Sequence, residues 1–187
     1  MDRHGPSAPD PTRDAAEAAL TARLDELGIP WETVRHEAVY TVAEARRLRG
    51  AHTTGGHAKN LFLKDRRKRL HLAVIEQTTP VDLKALGRAV GAPGLSFASP
   101  ATLAEVLDVT PGSVTPFAAM NAAPGTLGVI LDAALLTHDP LHFHPLRNDA
   151  TTTISPKGLL AFLESCGHTP TVLDLTTLAP TPPAGAH

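Results

Sequence analysis

Lys59-Asn60-Leu61-Phe62-Leu63-Lys64-Asp65-Arg66-Arg67-Lys68-Arg69-Leu70-His71-Leu72-Ala73-Val74-Ile75 decides the fold class. Two apolar runs, Leu61 to Leu63 and Leu70 to Ile75, flank a short charged segment, which is the pattern of a β-hairpin. Upstream of it, Gly50 to His57 holds mostly Gly, Thr and His without periodicity and reads as a mobile loop. Thr41 with Glu44 three residues on predicts a capped helix. Trp31 to His36 reads as a short strand. Ala15, Ala18, Leu20, Leu24 and Leu27 mark a first helix, capped by Asp14 and stopped at Gly28, with Pro30 shortly after.

Downstream, Asp82 caps a helix reaching Val90, and Leu95 to Phe97 reads as a short strand. Ser99-Pro100 opens a helix through Leu107, with proline in its first turn. Thr110 to Asn121 has no clean period. Leu127 to Leu131 is an apolar strand, and His142 to Pro145 and Thr151 to Ile154 are strands around a polar turn. Ser155-Pro156 starts the last helix, with Leu159, Leu160, Phe162 and Leu163 as its apolar face; Thr171 to Leu175 predicts an edge strand. Helices and strands mix without strict alternation, which predicts an α+β single domain around one central mixed β-sheet flanked by helices.

The 187 residues fit one domain. Residues 1–13 are expected to be a disordered lead, 14–176 the domain, and 177–187, with Pro180, Pro182 and Pro183, a flexible tail. A composition 42% hydrophobic and 19% charged is that of a globular chain. With five Phe, one Trp and one Tyr, the core must rest on Leu, Val, Ile and Ala. A net charge of -2 argues against a domain wrapped around nucleic acid, so any RNA contact is local. The basic runs are Lys64, Arg66, Arg67, Lys68 and Arg69, interrupted by Asp65, and Arg46, Arg47 and Arg49; each reads equally as a solvated turn or helix face. Cys166 is the single cysteine, so no intramolecular disulfide is expected and a reducing, cytoplasmic setting fits. Its place at a predicted helix end suits a small packing residue better than a nucleophile. No apolar run is long enough to predict a membrane span, and the first residues lack a signal-peptide core.

Three segments are more polar than packing requires. Lys59 and Asn60 run into an apolar strand, where a buried ammonium calls for an anion such as a phosphate or a developing oxyanion; on spacing alone a solvated loop lysine is the stronger reading. Gly112-Ser113-Val114-Thr115-Pro116 can turn successive amides toward an anion, although Pro111-Gly112 is also a common turn dipeptide. His142-Phe143-His144-Pro145-Leu146-Arg147-Asn148-Asp149 puts two histidines on one side of a strand. A zinc site needs a third ligand, and Asp139 and Asp149 form no recognisable motif with them, so a hydrogen-bonding histidine is favoured over a metal site. The other histidines are scattered and read as surface residues. No G-x-S-x-G and no P-loop is present.

Lys59-Asn60-Leu61-Phe62-Leu63, Asp82-Leu83-Lys84-Ala85-Leu86, Leu95-Ser96-Phe97-Ala98-Ser99, Gly112-Ser113-Val114-Thr115-Pro116-Phe117, Phe143-His144-Pro145-Leu146 and Asn148-Asp149-Ala150-Thr151-Thr152-Thr153-Ile154-Ser155, in this order, resemble the YbaK/ProX family. The resemblance runs from about His36 to Gly167. Lys59-Asn60 and Thr151-Thr152-Thr153 resemble the freestanding ProX branch more than the YbaK branch. The resemblance implies a partly barrel-like sheet and a trans-editing deacylase that hydrolyses the ester of mischarged tRNA(Pro), without metal or other cofactor. It implies alanyl-tRNA(Pro) as substrate for the ProX branch and cysteinyl-tRNA(Pro) for the YbaK branch. Prolyl-tRNA synthetase is a further implied partner, with neither DNA nor membrane involved. Lys59 matches the family's essential lysine, Gly112 to Pro116 its Gly-x-x-x-Pro loop, and His144 its histidine near the pocket. On this reading the Gly112 and Ser113 amides and the Lys59 ammonium surround negative charge, while Asn60 and His144 position the ribose, the α-amino group or the water. Val114, Thr115, Pro116, Phe117, Asn148 and Thr152 are the expected substrate contacts. Ala118-Ala119 departs from the glycine found in relatives and leaves the shape of the pocket wall open. A proline pocket rejects the smaller alanine by only ~1–3 kcal/mol per missing methylene, which is why a second, smaller sieve is needed. Two other classes stay open on residues alone: a noncatalytic tRNA- or synthetase-binding module, and a metal-dependent hydrolase using His142 and His144.

Overall fold

A computed structural model describes residues 11–36 and 54–178. The helix expected from Thr41, the Arg46–Arg49 cluster, residues 50–53 of the expected loop, residues 1–10 of the lead and residues 179–187 of the tail lie outside the described residues. Helix α1 covers Pro11–Glu26, followed by strands β1 Trp31–Arg35, β2 Gly56–Lys64 and β3 Leu70–Glu76. Then come α2 Leu83–Ala89, β4 Ser96–Phe97, α3 Pro100–Leu107, β5 Leu127–Asp132, β6 Leu141–Phe143, β7 Ala150–Ile154, α4 Pro156–Ser165 and β8 Thr171–Leu173.

Local chemistry sets most of these boundaries. Asp82 Oδ1 accepts from the Lys84 and Ala85 amides at 2.8 and 3.1 Å, starting α2. Ser99 Oγ accepts from the Thr102 amide at 3.1 Å and Ser155 Oγ from the Gly158 amide at 3.0 Å, starting α3 and α4. Each such cap contributes typically ~1 kcal/mol. Two expectations are corrected. The first helix begins at Pro11, so residues 11–13 are not part of a disordered lead; proline suits a first helical turn, and Asp14 lies inside the helix, paired with Arg147 at 2.5 Å, instead of capping it. Strand β2 begins at Gly56, so Gly56 and His57 belong to the sheet and not to a loop. Their Gly/His composition has little strand preference, but pairing with β6 supplies the ladder.

The strand order is β1-β7-β6-β2-β3-β5-β8, with β4 pairing β2 as a branch. Strand β2 is where the sheet changes partners: Gly56 and His57 pair in parallel with Leu141 and His142, Ala58 to Lys64 pair antiparallel with Glu76 to Leu70, and Leu63 and Lys64 pair with Phe97 and Ser96. Alternation along the strands divides the side chains between two faces. Phe62, Leu72, Val74, Leu131, Phe143 and Ile154 pack with Leu20 and Leu24 of α1, Leu103 and Leu107 of α3, and Leu159 and Phe162 of α4. Leu63, Ala73, Ile75 and Ile130 pack on the other face with Leu86 of α2 and Leu175. In the larger core Phe117 meets Phe143 and Phe162 edge-on, with centroids 5.8 and 5.4 Å apart. Such ring pairs add ~0.5–1.5 kcal/mol beyond their buried area.

Candidate functional site

At one end of the sheet the face opposite the larger core is polar. Register places His57 beside His142, and His142 beside Thr153. The two rings stack with centroids 4.8 Å apart, and His142 Nδ1 meets Thr153 Oγ1 at 3.0 Å. His142 Nε2 donates to the Thr54 carbonyl at 2.8 Å, which leaves Nδ1 to accept from the hydroxyl in the neutral ring. Gly55 makes room for this: a Cβ there would fall 2.6 Å from His142 Nε2 and 2.5 Å from the Pro140 carbonyl, and its φ of 112° is one that L side chains rarely adopt.

Two residues along β2 from His57, on the same face, is Lys59. Its Nζ donates to the carbonyl of Thr79 and, at 3.5 Å, to that of Gln77. Both carbonyls belong to the turn after β3, which the Glu76 carboxylate shapes: Glu76 Oε2 accepts from the Thr78 amide at 2.6 Å, the Thr78 hydroxyl at 2.5 Å and the Thr79 amide at 3.1 Å. Burial pushes the Glu76 carboxyl up, but these hydrogen bonds outweigh it and hold its pKa below the ordinary value. Lys59 therefore sits on a boundary, with the histidine–threonine surface on one side and the apolar Leu61 and Leu63 on the other.

His144 follows β6 and is half-buried. Its Nδ1 lies 3.0 Å from the Ala150 carbonyl. A carbonyl only accepts, so Nδ1 carries the proton and Nε2 is the basic nitrogen of the neutral ring. His36 lies 6.3 Å away between ring centroids and meets Thr151 Oγ1 at 2.8 Å through Nε2.

Asn60 points the other way. Its Nδ2 donates to the Val114 carbonyl at 3.0 Å, tying the Gly112–Pro116 loop to β2, while its Oδ1 is buried with no hydrogen-bond partner among the described residues. The Ser113 amide is used within the loop, donating to the Thr110 carbonyl at 3.0 Å. Thr115 is fully buried and its Oγ1 caps the turn that Pro116 begins. Phe117 is fully buried in the aromatic cluster. Thr152 is fully buried on the core face, its hydroxyl 2.6 Å from that of Thr33. Asn148 is buried with its Oδ1 also lacking a partner among the described residues. The expected site residues are thus divided: Lys59 is on the polar face with the His57, His142, Thr151 and Thr153 side chains, and His144 is linked to Thr151 through His36, whereas Asn60, Val114, Thr115, Phe117 and Thr152 belong to the opposite side. Among the described residues the Lys59 ammonium hydrogen-bonds the Gln77 and Thr79 carbonyls and neither Gly112 nor Ser113.

The loop bearing His144 is clamped. Arg147 is buried and grips Asp149 through both Nε and Nη2, Asp14 at 2.5 Å and Glu17 at 3.2 Å; Arg35 adds a 2.7 Å pair to Glu17. The Arg147 hydrogen bonds hold the Asp149 carboxyl below its ordinary value against the opposing effect of burial, and Asp149 in turn raises the Arg147 pKa. Of the residues on this face, the sequence marks His142 only as a candidate metal ligand and Thr151 and Thr153 only as part of a motif, and it marks neither His36 nor His57 as a site residue. That His57 shares a face with Lys59 shows only once β2 is known to begin at Gly56. Among the described residues no three His, Cys, Asp or Glu side chains are grouped to hold a metal ion, and no helix is long and apolar enough to cross a membrane.

The sequence model for the aminoacyl-tRNA editing domain matches residues 36–162. The chain is 38% identical over 162 residues to the prolyl-tRNA synthetase associated domain-containing protein 1 of Bos taurus, covering 84% of this chain and 94% of that one. It is 34% identical over 161 residues to the prolyl-tRNA editing protein ProX of Acetoanaerobium sticklandii, covering 86% and 98%. A crystal structure provisionally described as a trans-editing enzyme for prolyl tRNA synthetase superposes with a TM-score of 0.68 at 26% identity, over 89% of this chain and 98% of that one.

Proposed function

The chain belongs to the aminoacyl-tRNA editing domain family, and from that membership we propose that it hydrolyses the aminoacyl ester of mischarged tRNA(Pro), alanyl-tRNA(Pro) first among its substrates. The observation that carries this reading is the placement of Lys59, a lysine in the middle of a strand whose ammonium is held by two main-chain carbonyls at the edge of a polar surface. An ammonium has three N–H donors. Two are directed at Gln77 and Thr79, leaving one direction for a substrate oxygen.

The ester of an amino acid with a ribose hydroxyl is activated, so the protein has to orient it, stabilise the negative charge on its carbonyl oxygen and deliver water. In the proposed reaction the water oxygen bonds to the ester carbonyl carbon and the charge develops beside the Lys59 ammonium. His144 Nε2 takes the water proton and returns it to the departing ribose oxygen as the carbon–oxygen bond breaks. The Nδ1 contact to Ala150 supports this role because it fixes the tautomer. Asn60 acts from behind the strand, holding the Gly112–Pro116 loop through Val114. Prolyl-tRNA synthetase is proposed as the enzyme whose errors are corrected.

The deciding experiment is a deacylation panel with alanyl-, cysteinyl- and prolyl-tRNA(Pro). Fast loss of alanine with prolyl-tRNA(Pro) left intact is expected. Preferential cysteine release would move the substrate assignment to cysteinyl-tRNA(Pro), and stability of all three esters would sink the deacylase reading.

A further inference from the structure

Five of the chain's 17 Lys and Arg residues fall between Lys64 and Arg69, together with one of its 19 acidic residues, in a chain whose overall charge is negative. That one acid does not face outward to neutralise its neighbours. The Asp65 side chain is buried and its oxygens accept from the Arg67 amide at 2.8 Å, the Arg69 amide at 2.9 Å and Arg69 Nε at 2.7 Å. It braces the β2–β3 turn from inside. Arg69 Nη2 reaches the Gly91 carbonyl at 2.9 Å, and the Arg66 amide donates to the Pro93 carbonyl at 3.2 Å. The Arg66 stem lies across Gly94, where a Cβ would come within 2.6 Å of its Cγ. The turn is therefore fixed against the 91–94 segment and presents Arg66, Arg67 and Lys68 exposed.

Lys68 adds a second sign. Its φ is 61°, in the left-handed region where glycine or asparagine is the inexpensive choice. A lysine stands there although it fits the backbone poorly, and its charge is presented at the tip of the turn. Phe97 adds a third. Four of the five phenylalanines are buried, whereas Phe97 is 62% exposed. It lies on β4 opposite Leu63, with Ser96 opposite Lys64, beside the basic turn. An exposed aromatic next to fixed cations is the arrangement that holds single-stranded nucleic acid, with phosphates on the cations and an unpaired base stacked on the ring.

We propose that the 66–68 turn and Phe97 form a docking surface for a single-stranded RNA segment, separate from the residues that act on the ester. This rests on the editing reading for the identity of the RNA: the 3′ strand of the tRNA. Leu63, the ladder partner of Phe97, is four residues along β2 from Lys59, roughly 13 Å at the strand rise. Leu63 itself is buried, so the turn and Lys59 are related by this distance, within the span of a few nucleotides of an RNA strand whose end lies at Lys59. The surface supplies local attraction and register in a chain whose net charge is negative.

The test uses the whole chain and uncharged tRNA, followed by fluorescence anisotropy over a salt series, alongside deacylation kinetics. In the variant Arg66→Gln/Arg67→Gln/Lys68→Asn, Asp65 and its partners remain, and asparagine suits the backbone at 68. The variant is expected to reduce the slope of log Kd against log salt by roughly 2, as for loss of three single-strand phosphate contacts. KM for mischarged tRNA should rise about tenfold or more, with kcat within about twofold. Phe97→Ala should weaken tRNA binding about 5- to 150-fold with the salt slope unchanged, the range for one lost base stack. An unaltered Kd and salt slope in the triple variant would overturn the proposal even if the protein deacylates normally. Loss of affinity for prolyl-tRNA synthetase with RNA binding intact would overturn it as well. If wild type binds tRNA through this turn yet deacylates no ester, the docking surface stands and the editing reading falls.

Discussion

Lys59 and Asn60 are consecutive residues whose side chains leave β2 on opposite faces. The lysine reaches the turn after β3 and the asparagine reaches Val114. One strand therefore serves both the surface proposed to meet the ester and the loop behind it. The two residues are expected to fail differently when changed, and the first prediction uses that separation.

Lys59→Ala should lower kcat by about 10²–10³, the range for removing one group that stabilises developing charge. Glu76→Ala should lower it by roughly tenfold with little change in KM, because the carboxylate organises the turn whose carbonyls hold the ammonium. The double variant should be no slower than Lys59→Ala alone, since both changes act through one group. Independent, multiplicative losses in single-turnover kinetics would show that Glu76 does not work through Lys59.

Arg147→Met should destabilise the fold by about 3–5 kcal/mol, because it leaves the acidic groups of a buried cluster without their cation. Urea unfolding monitored by circular dichroism gives the magnitude. Amide exchange should rise first in α1, which supplies Asp14 and Glu17. A change below about 1 kcal/mol would mean that the cluster is exposed enough for water to replace the arginine.

Acid should weaken the protein in two stages. Burial lowers the His71 pKa in the fold, with Asp65 opposing it, so the unfolded chain binds the proton more readily and stability falls as pH drops below the ordinary value of 6.5. The Arg147 hydrogen bonds lower the Asp149 pKa. For Asp65 burial acts upward, and Arg69 and the turn amides bring the net shift down. Their stabilisation is complete above the ordinary value of 3.8 and is lost as pH falls through the folded values. Tm measured against pH should show both stages; His71→Asn should flatten the upper one and Asp149→Asn part of the lower. An upper stage unchanged in His71→Asn would assign it to another group.

Features of short range were readable before any coordinates. Ser99, Ser155 and Asp82 cap the helices they announce, and the charged hairpin lies between the two apolar runs that predict it. The start of β2 was not readable, because its first residues owe their strand geometry to β6, whose pairing residues lie 85 positions away. The site suffers from the same cause. Lys59 and His144 are candidates on sequence alone, but that His57 stands beside His142, and His142 beside Thr153, is a matter of register between strands. Thr115, Phe117 and Thr152 carry no local mark separating a wall residue from a core residue. Burial in the assembled fold decides, and it puts all three inside.

The Arg147 cluster also bears on how the chain is made. Asp14 and Glu17 meet Arg147, and β1 meets β7, only through residues 147–154. At ~5–20 residues per second, the first helix and strand are synthesised roughly 6–24 s before residue 154 is added. The opening segment must wait, unclasped, for the last third of its own chain.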